Sequence, residues 1–471
     1  MRHFDLCVIG SGPAGQKAAI QASKLGKSVC VVERREAVGG ASINTGTIPS
    51  KALREAILKL AGRQSAMPRE EDFRAARSAV LQDLLSATYG VINAEIEIVS
   101  RQFQRNGVRV IRGEGHFVDR KTLEVKGQHA TEPLTADHFV IAVGTQPSKP
   151  ADIPFDDRTI VTSDEILRLP ELPRTIIVVG GGVIGAEYAS MLAAMGVRVT
   201  LIEGRPRLLD FVDAEIIEAL QYQLRQSGMT LRMGERVVKI GNADAPAGAR
   251  TSNGHLVEAL LESGKTLRAD ALLYAVGRQG ATEGLNLAAA GLTADDRGRI
   301  TVNQFFQTAA EHIYACGDVI GFPALASTSM EQGRLSAVHM FGGTVQSTAE
   351  LLPYGIYAIP EISMVGWTEE RLTKEGVPYE AGIAQYKEIA RGQLLGDETG
   401  MLKMLIHQES HAVLGVHVIG TGATELIHIG QAVMAHQGTA EYFVDTVFNY
   451  PTLAECYKVA ALNGLNKLKN M

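Results

Sequence analysis

DLCVIGSGPAGQKAAIQASKLGKSVCVVE, running from Asp5 to Glu33, decides the fold because the chain contains it twice. Its second copy is TIIVVGGGVIGAEYASMLAAMGVRVTLIE, from Thr175 to Glu203. Each copy predicts a β-branched strand, a glycine-rich turn, an amphipathic helix closed by glycine (Gly26, Gly196) and a second strand ending in Glu. In both, the closing Glu lies 23 positions after the first motif glycine. A repeat of this size is a duplicated βαβ unit, and it predicts an α/β chain with two Rossmann-like dinucleotide-binding domains.

The chemistry follows from the spacing. In Gly10-Ser11-Gly12-Pro13-Ala14-Gly15 the first glycine makes the turn, the second admits a pyrophosphate, and the third lets helix and strand pack closely. The helix N-terminus then faces the phosphate charge. Glu33 stands where a carboxylate can accept hydrogen bonds from a ribose diol. Gly180, Gly182, Gly185 and Glu203 repeat the arrangement for a second dinucleotide. The nucleotide preference of that second site reads both ways. Glu203 favours the free 2′-hydroxyl of NAD, whereas Arg205 and Arg207 either reach the 2′-phosphate of NADP or are solvated loop charges.

Working outward, Ala41 to about Tyr89 has helical character, broken around Met67–Asp72 (MPREED). VRVIRGEGHFVD and LEVKG read as strands, followed by FVIAVGTQP and, after the second repeat, by the analogous ALLYAVGRQG. Gly115, Gly144 and Gly277 in these stretches are candidates for close approach to a nucleotide. In YACGD, Gly317 and Asp318 end a strand, where Asp318 either bonds a polyol or closes an ordinary turn. Beyond Ile356 strands (MLKMLIH, AVLGVHVIG) alternate with apolar helices (ATELIHIGQAVMAHQ, LAECYKVAALNGLNKL), as in a separate C-terminal α+β domain. The expected domains are 1–150 and 276–345 around the first nucleotide, 151–275 around the second, and 346–471 at the end.

Composition narrows the class. A chain of 471 residues suffices for roughly two to four domains. A net charge of −6 provides no electrostatic attraction to nucleic acid or anionic membrane, so neither is expected as a partner. No apolar run reaches the length of a bilayer span, and MRHFD leads into a strand rather than a signal peptide. Cys7, Cys30, Cys316 and Cys456 are dispersed without ligand spacing, which predicts buried small hydrophobes in a reducing cytoplasm and no metal site.

Taken in order, GSGPAG with Glu33, GTIPSKAL, FVIAVGTQP, GGGVIGAE, YAVGR, ACGDVIG and NYPTLAE resemble the pyridine nucleotide–disulfide oxidoreductase family over nearly the whole chain. The resemblance implies FAD in the first βαβ unit, NAD or NADP in the second, and a C-terminal domain that makes a homodimer or larger homo-oligomer. It places Asp318 on the ribityl chain and Ala326 at the start of a helix facing the flavin N1–C2 edge, where amide dipoles favour the reduced ring. It places Lys51 near flavin N5, paired with Glu187.

The departures from that family carry the functional reading. Disulfide reduction needs two thiols and a His-Glu dyad. Ser42 and Thr47 stand at the thiol positions, and neither hydroxyl is redox-active. Tyr450 stands where the family's H-P-T-x-x-E pattern has its His, with Glu455 retained. Within the family the chain is most similar to the branch of soluble, Si-specific pyridine nucleotide transhydrogenases. That resemblance implies ping-pong hydride transfer between NADPH and NAD+ through the flavin. Lys51 and Glu187 would be electrostatic supports, with Thr47 a filler beside the ring. An NAD(P)H oxidase or quinone-reducing diaphorase, and an NAD(P)H-binding sensor without turnover, are the alternatives.

Overall fold

The uninterrupted apolar run Leu6-Cys7-Val8-Ile9 leaves no polar face, as suits a parallel strand buried on both sides. In the computed structural model, which describes residues 2–61, 73–169, 171–244, 255–345 and 351–469, this segment is the central strand Arg2–Ile9. Helix Pro13–Lys24 follows, with Pro13 in its first turn where a missing N–H is harmless. Strand Val29–Glu33 then pairs in parallel with the first strand, Cys7 opposite Cys30. The parallel sheet continues to Arg109–Arg112 on one side and to Thr131–Ile141 and Ile313–Ala315 on the other. Antiparallel strands Glu114–Phe117 and Thr122–Lys126 extend it along the first half of Thr131–Ile141.

These strands belong to one compact unit, Met1–Pro150, Thr162–Glu171 and Val276–Ser347. Its two apolar layers lie on opposite faces of the sheet. Leu6, Val8 and Val31 pack under helices on one face, and Cys7, Ile9, Cys30 and Val32 pack with Phe117 and Phe139 on the other. Helix Ala326–Met340 lies against Pro13–Lys24 at very short range: a Cβ on Gly333 would stand 2.0 Å from the Ala14 carbonyl oxygen.

The long helical region differs from the sequence expectation. Helices Gly40–Asn44 and Thr47–Ala61 are followed by Phe73–Arg105, which runs sixteen residues beyond the expected end at Tyr89. Gly90 is tolerated within it because a helix fixed by tertiary packing overrides a single unfavourable propensity. The expected break at Met67–Asp72 lies outside the described residues.

The second unit comprises Ala151–Val161, Leu172–Ala275 and Thr348–Met471. The second repeat forms strand Thr175–Val179, helix Val183–Ala194 and strand Arg198–Glu203, within a parallel sheet ordered 230–233, 198–203, 175–179, 271–274, 160–161. An antiparallel layer, 237–244, 255–261 and 266–269, adjoins it. The C-terminal α+β segment is an antiparallel sheet ordered 354–356, 362–366, 413–419, 401–407, 379–385, covered by helices Ala423–Ala435 and Glu455–Leu468. The expected fold class, two Rossmann-like domains and a C-terminal α+β domain, is therefore correct. Among the described residues no helix is long and apolar enough to cross a membrane.

Candidate functional site

In the first unit Gly10, Glu33, Gly144 and Asp318 gather at the carboxyl ends of one parallel sheet. Gly10 follows Arg2–Ile9, Glu33 ends its neighbour, Gly144 follows Thr131–Ile141, and Asp318 follows Ile313–Ala315. This edge is where open α/β sheets bind ligands. The three motif glycines have separate reasons. Gly10 has φ +102°, and a Cβ there would lie 2.4 Å from the Ala142 oxygen. A Cβ on Gly15 would lie 1.9 Å from the Gly10 oxygen. At Gly12 the nearest atom to a Cβ is 3.8 Å away, so packing within the chain does not demand glycine there. Room beside a helix N-terminus is what an approaching phosphate requires.

Glu33 is buried and already partly used. It accepts hydrogen bonds from Ser11 N at 3.0 Å, Ser11 Oγ at 2.5 Å and Arg35 N at 2.8 Å, which leaves acceptor capacity for a further donor. Ser11 Oγ also accepts from Gly39 N at 2.9 Å. Sequence reasoning passed over Ser11; a hydroxyl at the variable position between two motif glycines was the available signal. Glu33→Ala leaves these donors facing a void and is expected to destabilise the protein by about 1–3 kcal/mol. A thermal melt checks it, with Glu33→Gln as the milder partner.

Asp318 stands 3.4 Å from both Thr145 Oγ1 and Ser329 Oγ, which donate to its two carboxylate oxygens. Thr145 is itself held by Arg278 Nε at 2.8 Å. Ala326 opens helix Ala326–Met340, and Gln332 on that helix accepts from Gly317 N at 2.8 Å. Gly115 is buried in its strand beside Leu123 and Ile9. Gly144 and Gly277 both have positive φ, +65° and +79°, with open space at the Cβ position, and both belong to the first unit.

Ser42 lies on helix Gly40–Asn44 and Thr47 opens Thr47–Ala61, with Ser42 half-buried and Thr47 exposed. Lys51 Nζ donates to Ser50 Oγ at 3.3 Å. The four cysteines are free and buried, as expected, and burial pushes the thiols of Cys316 and Cys456 up to about 12. The sheet brings Cys7 and Cys30 face to face across neighbouring strands, a juxtaposition their separation in the sequence conceals. Burial, together with the Cys30 contact, raises the Cys7 thiol well above its ordinary value, so Cys7 is kept in the unreactive thiol form.

The second unit repeats the geometry. Gly180 has φ +105°, a Cβ on Gly185 would stand 1.8 Å from the Gly180 oxygen, and Gly182 has nothing within 4 Å. Glu203 is buried; it accepts from Gly181 N at 2.7 Å and from Arg205 N at 2.8 Å, the same pattern as Glu33. Arg205 adds a fork, Nε to Glu203 Oε1 and Nη2 to Glu203 Oε2, each at 3.0 Å. Burial alone would raise the Glu203 carboxyl, but the Arg205 guanidinium and the two backbone donors hold it below the usual carboxylate range. Glu187 is buried on helix Val183–Ala194 and accepts from Tyr357 N at 2.9 Å. Tyr450 is 73% exposed in the C-terminal domain.

Two glycine turns with space at the middle glycine, helix N-termini beside them and a buried Glu at each strand end fit a dinucleotide at each turn. The chain belongs to the pyridine nucleotide-disulphide oxidoreductase family: residues 4–333 match that family and residues 352–461 match its dimerisation domain. It is 50% identical over 471 residues to a soluble pyridine nucleotide transhydrogenase of Mycobacterium tuberculosis, covering 100% of this chain and 98% of the relative. A soluble pyridine nucleotide transhydrogenase of Photobacterium profundum is 46% identical, covering 99% and 98%. Among solved structures, the HOCl-induced flavoprotein disulfide reductase RclA of Escherichia coli superimposes with a TM-score of 0.86 at 26% identity, over 97% of this chain and 99% of that one.

Proposed function

We propose that this chain is an FAD-dependent, Si-specific soluble pyridine nucleotide transhydrogenase that passes hydride between NADPH and NAD+ by a ping-pong mechanism in the cytoplasm. The observation that carries the reading is the combination of two intact nucleotide turns with hydroxyls, Ser42 and Thr47, at both thiol positions. The full-length likeness to proteins bearing that name supports it. Segments 1–150 and 276–345 would form the FAD domain, 151–275 the NAD(P) domain, and 346–471 the domain that makes a homodimer or larger homo-oligomer. Exposed Leu394, Tyr442, Val447 and Leu462 supply apolar surface for such an interface.

Bound FAD supplies a ring that takes a hydride from one nicotinamide and yields it to another. The protein's own work is then to bind and orient. Gly10, Gly12, Gly15 and Glu33 would hold the FAD pyrophosphate and ribose, with Asp318 on its ribityl chain and the helix opening at Ala326 directing its amides at the ring. Gly115, Gly144, Gly277 and Gly317 would let backbone approach a nucleotide closely. Gly180, Gly182, Gly185, Glu203 and Arg205 would hold the nicotinamide nucleotide. Lys51 and Glu187 are assigned as electrostatic supports and Thr47 as a redox-silent neighbour. No side chain need move a proton, because hydride transfer requires none.

Anaerobic protein mixed with NADPH and thio-NAD+ is expected to form thio-NADH over many turnovers, with parallel lines in double-reciprocal plots. Bleaching of the flavin without thio-NADH would overturn the reading and direct attention to oxygen or quinone as acceptor.

A further inference from the structure

The loop after Glu203 carries two arginines, and both are already engaged by carboxylates. Arg205 uses Nε and Nη2 on Glu203, and its remaining arm, Nη1, on Asp210 at 2.5 Å. Arg207 Nη1 donates to Glu370 at 3.1 Å. The Glu370 oxygen also accepts from Ala214 N at 3.1 Å, which fixes it in place. Its neighbour Glu369 is anchored by buried Lys403 at 2.6 Å. Arg205 and Arg207 therefore face three carboxylates, Glu203 and Asp210 close by in sequence and Glu370 from helix Glu369–Glu375, so both guanidinium groups already have anionic partners.

We infer that Asp210 and Glu370 are specificity-determining residues that compete with the 2′-phosphate of NADP for Arg205 and Arg207, and so set the balance between the two nucleotides. The inference rests on the proposed reading of the second glycine turn as the nicotinamide nucleotide site. The guanidinium geometry makes the exchange possible. Arg205 can keep its fork on Glu203 while Nη1 changes partner from Asp210 to a phosphate oxygen. The side chains of Arg205, Asp210, Arg207 and Glu370 are 42%, 50%, 35% and 41% exposed, so each pair is weak enough to break. NAD lacks the 2′-phosphate and so has no group at that position to draw the arginines from Asp210 and Glu370. A site with these two arms held in reserve binds both nucleotides, neither to the exclusion of the other.

The test uses the full-length oxidised holoprotein and the oxidised nucleotides, so that no turnover occurs. NADP+ and NAD+ are titrated calorimetrically into wild type, Asp210→Asn and Glu370→Gln. Both substitutions keep shape and an acceptor oxygen while removing the charge. Each variant is expected to bind NADP+ about fivefold more tightly relative to NAD+. An unchanged ratio in both variants overturns the inference, as does a gain shared equally by the two nucleotides. If wild type and variants bind neither nucleotide, the reading of the second turn has failed, and the inference with it.

Discussion

Valine at position 182 is expected to leave the protein folded and yellow while weakening the binding of NADPH and NAD+ at least about a hundredfold, some 2.8 kcal/mol. The reason is the contrast among the glycines of the second turn. Gly182 sits at φ −76° and ψ −173°, extended backbone that any residue adopts, and a Cβ there meets nothing within 4 Å. Neither strain nor packing explains glycine at that position; space for a ligand does. The melting temperature of Gly182→Val should therefore stay within about 2 °C of wild type, as for substitutions that disturb no packing. Gly185→Ala is the converse, since its Cβ would lie 1.8 Å from the Gly180 oxygen and force helix from strand. It should lose stability and nucleotide binding together. Thermal melts beside nucleotide titrations separate the two cases, and normal binding by Gly182→Val would remove the second turn from the pyrophosphate site.

Lys403→Met is expected to cost about 3–5 kcal/mol of stability, because it strands a buried carboxylate. Lys403 and Asp213 have fully buried side chains, 2.9 Å apart, and the ammonium also reaches Glu215 at 2.9 Å and Glu369 at 2.6 Å. Asp213 accepts from Glu215 N and so caps helix Ala214–Gln226. Burial by itself would raise the Asp213 carboxyl; the neighbouring His417 and Lys403, with the Lys403 and Glu369 N hydrogen bonds, outweigh it and hold the group below the usual carboxylate range. In wild type that depressed carboxyl contributes stability present above its unfolded value, and lost as pH falls through the folded one. Without Lys403 burial dominates and the folded value rises, so ionisation then opposes folding. The deficit of Lys403→Met should accordingly be largest near neutral pH and narrow toward pH 4, and Asp213→Asn in the same chain should recover part of it. Denaturant melts across pH test this; a deficit independent of pH would mean that lost packing, not charge, explains the effect.

Much of the fold could be read from short stretches because the relevant forces act between near neighbours. A positive φ at Gly10, a helix start at Pro13 and a strand of apolar β-branched residues are local properties, and the 23-residue spacing to Glu33 is local to one βαβ unit. The missing thiols at Ser42 and Thr47 are visible as residue types alone, which is why the loss of dithiol chemistry needs no coordinates. The long helix runs sixteen residues past the end its sequence pattern predicts, since packing of Ile92, Val99 and Phe103 into the core, not propensity, holds that part together.

By itself the sequence determined the duplicated βαβ architecture, the residues at the two glycine turns and the absence of a redox dithiol in the GASINTGTIPSKAL segment. Only the tertiary structure decided what those residues touch. Cys7 meets Cys30 across a sheet, Arg207 meets Glu370 across 163 residues of chain, and Lys403 meets Asp213 across 190. Charges and thiols act through space over a few ångströms, and a linear pattern of residue types contains no distance of that kind. The turns were therefore legible in advance, whereas the Glu370 carboxylate that meets Arg207 became visible only once the chain had folded.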